Sequence, residues 1–172
     1  AAYYNAYNNF IDTRVIGVSQ GLQVFQYQNL SNVTIYGLEA RGEWRINANW
    51  RARGSAAWGY GYDNQTKLPV DSVDAARATA GIRWDSGWGL GAEANLTGGL
   101  RHTRVSNPTY YQTPAYMVLD LAANYDLGNQ ASINFGLFNV TNTQYFLSSD
   151  MTGVTGANPL RGLYAQPGRY AA

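Results

Sequence analysis

Apolar and polar residues alternate through most of the chain, and the longest regular run covers residues 88–101. Its even positions are all apolar or glycine, whereas its odd positions are glycine, small polar or charged residues. Because successive side chains of a β-strand point to opposite faces, the run predicts a strand with one apolar face. It exceeds the ~5–6 residues usual in a soluble sheet and reaches the ~9–11 residues of a tilted membrane strand. A membrane β-strand is therefore favoured over an amphipathic strand of a soluble sandwich.

The same alternation predicts further strands on both sides of this run. We predict strands over residues 1–12, 22–47, 50–62, 76–84, 88–101, 117–125 and 131–137, and the start of an eighth over 166–172. Between them we predict loops at 13–21, 63–71, 102–113 and 141–165, and tight turns at 47–49, 85–87 and 127–129. Val33 and Ile35 are out of phase with the alternation that follows them, which predicts a β-bulge near residues 36–37.

Two regularities indicate how these strands are arranged. Long and short connections alternate, as do the outer loops and periplasmic turns of outer-membrane barrels. Aromatic residues lie at the strand ends, as interfacial girdles do: Trp50, Trp84 and Trp88 beside the short turns, and Tyr60, Tyr62, Tyr110, Tyr111 and Tyr116 towards the long loops. We therefore predict an all-β fold, an antiparallel transmembrane β-barrel segment whose apolar side chains face lipid.

The opposite faces of these strands carry charges, which we place in the barrel lumen. They are Glu39, Arg41, Glu43, Arg45, Arg51, Arg53, Arg77, Arg83, Glu93, Arg101 and Asp120. The excess of arginine could guide an anionic ligand such as a ferric siderophore or the propionates of haem. We favour a structural role, in which the charges pair across strands or with a plug, because neighbouring charges alternate in sign. The inner-face glycines 89, 91 and 99 are expected to allow curvature or the close approach of a plug.

The composition agrees with a membrane barrel. Charged residues make up 13% of the 172 residues, about half the ~25% typical of soluble domains. The net charge of +1 lacks the basic excess of a nucleic-acid binder, so no nucleic-acid partner is expected. No run approaches the ~18 apolar residues of a membrane helix, and the first residues lack the regions of a signal peptide. We expect either part of a larger barrel or an eight-stranded barrel trimmed at its end.

Four segments, taken in order, resemble the C-terminal strands of TonB-dependent outer-membrane receptors. They are YQNLSNVTIYGLEARGEW (27–44), YMVLDLAANYDL (116–127), INFGLFNVTNTQYF (133–146) and QPGR (166–169). In that family a "yGlE" strand, a "vlDl" strand, a "gv.Nltn..Y" strand and a closing "pGR" strand follow one another in this order. The segment YNAYNNFID (4–12) and the loop start LRHTRVS are most similar to the branch that handles haem, haemoglobin and hemophores.

The resemblance implies a 22-stranded barrel closed by an N-terminal plug, in which residues 1–172 are the C-terminal part with about 7–8 strands. It implies location in the bacterial outer membrane and, as partners, lipid, the receptor's own plug, the TonB protein and a haem-carrying protein. The implied function is TonB-dependent uptake of an iron-bearing ligand, either haem or a haem-carrying protein. A ferric siderophore is the alternative cargo, and no intrinsic cofactor is implied. The plug, the TonB box and the final strand are not among these 172 residues.

Two other classes of protein stay open on the residues alone. One is a small eight-stranded outer-membrane barrel with a structural or adhesive role, whose narrow interior is filled by side chains. The other is a soluble sheet lectin. With one histidine and no cysteine, the chain offers neither a catalytic constellation nor a metal cluster, so we do not expect an enzyme.

Three residues of the outer loops are candidates for ligand binding. His102 could bind haem iron if it is exposed, and Tyr110 and Tyr111 could stack on a planar ligand. We favour an ordinary loop or rim position for His102 and an interfacial girdle for the two tyrosines. The resemblance also implies that the haem histidine of the haem branch lies upstream of the matched region, so His102 is not expected to take over that role.

Overall fold

Eight strands form one antiparallel sheet in chain order in the computed structural model, which describes residues 1–20, 22–128 and 131–172 without the side chains of residues 14, 30 and 31. They are β1 Ala2–Ser19, β2 Leu22–Arg45, β3 Trp50–Asp63, β4 Arg77–Asp85, β5 Leu90–Gly99, β6 Tyr116–Asp126, β7 Ser132–Phe138 and β8 Tyr170–Ala171. Two short 3-10 helices, Ser149–Met151 and Arg161–Tyr164, lie in the last long loop. The predicted all-β antiparallel fold is confirmed.

The strands divide their side chains between two faces as the alternation predicts. Leu96 of β5 lies directly opposite Leu119 of β6, and Trp58 of β3 lies opposite Leu38 of β2. Trp58 and Leu96 are 43% and 40% exposed, so these apolar side chains cover the outside of the sheet and do not meet in a common core. A surface of this kind is typical of the lipid-facing band of a membrane barrel.

Aromatic rings form two belts on this outer face. Near the short turns, Trp50 packs beside Trp84 with ring centroids 6.5 Å apart, and Trp88 packs beside Tyr125 at 6.0 Å. Towards the long loops, Tyr36 stacks on Tyr60 at 5.3 Å and on Tyr4 at 6.2 Å. The predicted girdles are therefore present, although three of the tyrosines assigned to them lie elsewhere. Tyr116 is opposite Gly99 on the inner face, and Tyr110 and Tyr111 lie within the loops.

The bulge predicted near residues 36–37 is wrong. The β2 register runs without a shift through these residues against both β1 and β3. The register shift lies in β1, where Ile16 is the extra residue between Val15 and Gly17.

Val33 and Ile35 interrupt the alternation of β2 for a different reason. A loop covers the inner face of the sheet at this end, so apolar residues lie there. Val33 is fully buried, and Val70 of the loop at 64–76 is 2% exposed. The backbone N–H of Val70 donates to the carbonyl of Gly61 at 3.3 Å, which fixes the loop against β3. The inner face therefore becomes apolar at this end without any change in which way the side chains point.

The loop predicted at 13–21 is also wrong, because β1 continues to Ser19. Ser19 pairs with Leu22 at the end of a long β1–β2 hairpin. Val15 and Val18 are β-branched residues that favour an extended backbone. Only the tip departs from the strands: Gln20 has φ +52°, and residue 21 lies outside the described residues.

The short turns form as predicted where they are described. Asn47 accepts hydrogen bonds through its Oδ1 from the N–H groups of Asn49 and Trp50, both at 2.9 Å. Gly87 and Gly89 close the next turn with φ +81° and +103°, a conformation that favours glycine. Residue 129 of the third predicted turn lies outside the described residues.

Candidate functional site

The inner face near the short turns carries a network of charged and amide side chains. Arg51 Nη2 donates to Asp85 Oδ2 at 2.8 Å, and Arg83 Nη2 donates to Asp85 Oδ1 at 2.6 Å. Arg51 and Arg83 lie directly opposite each other, an arrangement that destabilises a sheet unless anions compensate it. Asp85 binds both cations and removes the conflict.

Glu93 extends the network to the neighbouring strands. It forms ion pairs with Arg53 and, at 3.7 Å, with Arg83. The amides of Asn95 and Asn124 complete the hydrogen bonding, since Arg53 Nη2 donates to Asn95 Oδ1 and Arg83 Nη2 donates to Asn124 Oδ1, both at 2.9 Å. This part of the lumen wall follows the favoured structural interpretation, in which the charges pair across strands.

Glycines make room for these side chains to lie flat on the sheet. A Cβ atom at Gly91 would lie 2.4 Å from Asn124 Oδ1 and 2.7 Å from Arg83 Nη2. At Gly99 it would lie 2.4 Å from the ring of Tyr116. These inner-face glycines therefore accommodate side chains of the same chain, whereas Gly89 belongs to a turn.

The charged side chains of β2 lie outside this network. Within the described residues, Glu39, Arg41 and Glu43 have exposed side chains and no ion-pair partner within 4.0 Å. An open cleft of about 500 Å³ lies beside Arg41 and Glu43 on the inner face. The charges of this strand remain available to another part of the protein or to a passing ligand.

The long loops at residues 64–76, 100–115 and 139–169, together called the loop cluster, fold against one another at the other end of the sheet. Phe146, Met151 and Val154 form a small buried core, and Tyr111 packs against it with its ring 5.5 Å from that of Phe146. Backbone hydrogen bonds join the loops directly: Tyr111 N–H donates to the Val154 carbonyl at 2.8 Å. The loop cluster is thus a packed structure with its own apolar centre.

A buried polar contact joins two of these loops. Asp71 is 5% exposed and accepts a hydrogen bond from Ser106 N–H at 2.6 Å and a second from the Ser106 hydroxyl. Ser148 Oγ donates to Asp74 Oδ1 at 2.8 Å and accepts from the Ala75 N–H at 3.2 Å, which ties the third loop to the first. All three loops are therefore held by specific hydrogen bonds as well as by packing.

His102 lies inside the loop cluster and is only 8% exposed. Its backbone N–H donates to the Thr113 carbonyl at 2.9 Å, and its side chain borders a cavity of about 10 Å³ shared with Asp71, which leaves space for no more than one water. Burial lowers the pKa of His102; Asp74 and Asp71 oppose that shift and Arg104 adds to it. The exposure that haem binding by this residue requires is absent from the structure.

Tyr110 and Tyr111 are also loop residues that face inward. Tyr110 is 7% exposed and forms an isolated β-bridge with Thr155. Tyr111 packs on Phe146 and lies beneath the guanidinium of Arg161, whose carbon is 4.5 Å from the ring centroid. The girdle position predicted for the two tyrosines is therefore wrong, while their role in ligand binding stays a prediction.

Asn139 forms hydrogen bonds with strand β6, with the start of the last loop and with the segment before β8. Its backbone N–H donates to Asp120 Oδ1 of β6 at 2.7 Å. Its side-chain amide donates to the carbonyls of Thr143 at 2.9 Å and Pro167 at 3.0 Å, and its Oδ1 accepts from Thr143 N–H at 2.9 Å. The residue is 3% exposed and has φ +49°. It therefore anchors the start of the last loop between β6 and the segment leading to β8.

Sequence reasoning missed several residues of these networks. The alternation places Asp85 only in a turn, and Asn95 and Asn124 among the small polar residues of the inner face. All three lie on the inner face at the same level as an arginine of a nearby strand. This signal can be recognised only when the register of the strands is known.

No group of three or more potential metal ligands occurs among the described residues. In the same part of the chain, no helix is long and apolar enough to cross a bilayer.

Comparison with known sequences gives one family match and a curated relative. A family model described as "TonB dependent receptor-like, beta-barrel" matches residues 1–140. Hemoglobin-haptoglobin utilization protein B of Neisseria meningitidis serogroup C is 27% identical over 143 residues, covering 72% of this chain and 18% of that relative. The chain thus spans less than a fifth of the length of this curated relative.

Solved structures share the fold. The copper transporter OprC superposes with a TM-score of 0.83 at 16% identity, covering 99% of this chain and 27% of that chain. The siderophore receptor PirA from Acinetobacter baumannii gives 0.69 at 16% identity with the same coverage. The ferripyoverdine receptor of the outer membrane of Pseudomonas aeruginosa gives 0.66 at 11% identity, covering 99% of this chain and 23% of that chain. At these identities the similarity concerns the fold alone.

Proposed function

This chain belongs to the TonB-dependent receptor β-barrel family, and from that premise we propose that it supplies the C-terminal barrel wall of an outer-membrane receptor for an iron-bearing ligand. The observation that carries the proposal is the two-sided sheet, with Leu96 and Trp58 exposed on an apolar outer face and Glu93 within a charged inner face. Such a wall separates lipid from a polar lumen. The proposed activity is transport across the outer membrane and not catalysis.

The cargo we propose is haem or a haem-carrying protein. Support comes from the sequence relative whose name specifies utilization of hemoglobin-haptoglobin. A ferric siderophore is the second candidate, because solved receptors of the same fold are named for siderophores. We give the sequence relative more weight, because it is 27% identical to this chain, whereas the two siderophore receptors are 16% and 11% identical. Haem or siderophore is cargo in this proposal, and no resident cofactor is part of it.

The inner wall has two roles in this proposal. The network around Glu93 and Asp85 is satisfied internally, so it stiffens the wall near the short turns. Glu39, Arg41 and Glu43 keep exposed charges in the described structure and would contact the receptor's own plug when that domain fills the lumen. Energy for moving the plug would come from the TonB protein through a region outside these 172 residues.

The loop cluster gives the proposed outer entrance a defined shape. His102, Tyr110 and Tyr111 would act there by holding the loops in place, since all three are directed into the cluster. Ligand contacts would then come from residues on the exposed surface of the loops and of the β1–β2 hairpin.

Growth of a bacterium that makes its own porphyrin and can release iron from haem, but lacks its own outer-membrane iron receptors, tests the proposal. The full-length receptor containing this segment is expressed with its TonB system, and haemoglobin–haptoglobin, free haem or a ferric siderophore is the sole iron source. We expect growth on the haem sources, lost when TonB is deleted. Growth on the siderophore alone would select the second candidate, and no TonB-dependent growth on any source would contradict receptor function.

A further inference from the structure

The β1–β2 hairpin rises well beyond the aromatic belt that marks the outer edge of the lipid-facing band. Tyr36 belongs to that belt, and Tyr27 of the same strand lies nine residues further along. At ~3.3 Å per residue the intervening strand measures about 30 Å. The upper part of the hairpin therefore lies on the outer side of the membrane, beyond the lipid-facing band. The last long loop contacts it there, since Gln23 Nε2 donates to the Gly153 carbonyl at 3.0 Å.

One edge of β2 is open in this upper part. β1 pairs with β2 as far as Leu22, but pairing between β2 and β3 begins only at Val33. Between Leu22 and Gln28, β1 is the only described strand that pairs with β2. The barrel neighbours of β2 are β1 and β3, so a strand from elsewhere in the barrel wall does not occupy this edge.

The backbone groups that point to the open edge can be assigned. In an antiparallel sheet, alternate residues direct their N–H and C=O groups to opposite edges. Asn64 N–H donates to the Asn32 carbonyl at 2.8 Å on the β3 side. The residues of β2 with the same parity therefore face that side, and over the open stretch they are Val24, Gln26 and Gln28.

This edge lacks the features that normally protect an edge strand. Residues 15–38 include no charged residue and no proline, although charges, prolines and bulges are the usual means of preventing strand addition. Two flanking apolar side chains are exposed, Leu22 at 60% and Tyr27 at 79%. The ring of Phe25 lies against Gly153 of the last loop. Exposed apolar groups of this extent in water are typical of protein interaction surfaces.

We propose that the open edge of β2 from Leu22 to Gln28 is a docking site for an extended segment of the carrier protein, which adds as a strand to the hairpin. Main-chain N–H and C=O groups at strand spacing recognise a polypeptide, and the flanking Leu22 and Tyr27 provide apolar contacts for its side chains. This inference rests on the proposed function, because it requires a protein as the source of the haem.

Two variants of the full-length receptor test the edge. Gln26→Pro removes an N–H directed at the open edge without removing a bond to β1. Gln26→Lys keeps the backbone and places a charge on the edge. We expect each to weaken binding of haemoglobin–haptoglobin at least about tenfold, while uptake of free haem is unchanged. Gln26→Ala keeps the backbone N–H and adds no charge, so it is the matched control and should bind as the wild type does.

Amide hydrogen exchange provides the second measurement. We expect the N–H groups of Val24, Gln26 and Gln28 to exchange rapidly in the free receptor and to be protected when haemoglobin–haptoglobin is bound. Protection already present in the free receptor would show that its own loops cover the edge and would overturn the proposal. Undiminished binding by both Gln26 variants would overturn it while leaving the proposed function intact. A wild-type receptor that takes up free haem but binds no haemoglobin–haptoglobin would refute the choice of a carrier protein itself.

Discussion

Arg53 of β3 forms its ion pair with Glu93 of β5, two strands away, although Glu43 lies directly opposite it on β2. Asn95 connects the pair, because its Oδ1 accepts from Arg53 Nη2 at 2.9 Å and its Nδ2 donates to Glu93 Oε1 at 2.6 Å. Between them, β4 contributes Gly81, whose missing side chain leaves the path open. The pairing of charges on this wall is therefore decided by a glycine on the intervening strand.

Replacing this glycine should break the network. A Cβ atom at Gly81 would lie 2.4 Å from Asn95 Oδ1 and 3.0 Å from Arg53 Nε, so Gly81→Ala forces both side chains away from Glu93. We expect a loss of about 1–3 kcal/mol in the free energy of unfolding, the usual range for overpacking. Urea-induced unfolding of the full-length receptor in detergent micelles measures it.

Gly42→Ala is the matched control for this experiment. It also adds a methyl group to a strand glycine, but no atom lies within 4 Å of the added Cβ position. We expect stability within about 0.5 kcal/mol of the wild type. Equal losses for the two variants would show that the crossing at Gly81 has no special importance.

The facing of the strands could be predicted from the sequence because it depends only on the two-residue period of the pleat. Leu96 and Arg53 lie on the predicted faces for that reason. The partner of Arg53 could not be predicted, since it depends on the register of three strands and on the space above Gly81. The alternation of sign favours pairing across strands. Arg53 and Glu93 pair in this way, whereas Glu39 and Arg41, whose signs alternate in sequence, form no ion pair among the described residues.

The errors in the sequence-based predictions arise where the long loops meet the sheet. Val33 is buried at the end of β2 where the loop carrying Val70 packs beside Gly61 and Ile35, and nothing within β2 reveals this distant loop. The girdle position predicted for Tyr110 is wrong because loop tyrosines and belt tyrosines look alike in sequence. The loop predicted at 13–21 is wrong because glycine and serine also occur within strands, and the β-branched residues between them favour an extended backbone.

Opposite faces of β5 should tolerate charge differently. Leu96 faces outward, whereas Thr97 lies on the inner face opposite Val118. Leu96→Arg places a cation in hydrocarbon and should cost about 2–4 kcal/mol if the residue lies near the midplane of the bilayer. Thr97→Arg points into the polar lumen and should cost much less. Reversible unfolding of both variants from lipid vesicles gives the comparison, and equal penalties would contradict the assigned facing.

Asn139 should be among the most sensitive positions of the last loop. Asn139→Ala removes the amide that binds Thr143 and Pro167 and leaves these partly exposed backbone groups without their partner. Each lost hydrogen bond costs about 0.5–1.5 kcal/mol. We expect a lower thermal midpoint for the full-length receptor and faster proteolysis of residues 139–169.

The glycine variant separates the two contributions at this position. Asn139 has φ +49°, which alanine adopts only with strain and glycine adopts freely. Asn139→Gly should therefore be more stable than Asn139→Ala by about 0.5–1 kcal/mol, but still less stable than the wild type. A glycine variant as stable as the wild type would show that the hydrogen bonds contribute little.

The loop cluster should weaken in mild acid because of His102. Burial holds the pKa of this imidazole below its usual value of 6.5, so the open loops bind a proton at a higher pH than the closed ones do. The stabilisation of the closed state is complete above about pH 6.5 and is lost as the pH falls from there through the lowered pKa. Amide exchange of residues 101–113 in the full-length receptor should therefore accelerate as the pH is lowered from about 7.5 to about 5, on both sides of the usual histidine pKa of about 6.5. The rates are first corrected for the intrinsic effect of pH on amide exchange.

His102→Gln is the control. It cannot take up this proton, so its corrected exchange should be independent of pH over the same range. A pH response that persists in this variant would show that His102 is not the source of the acid sensitivity.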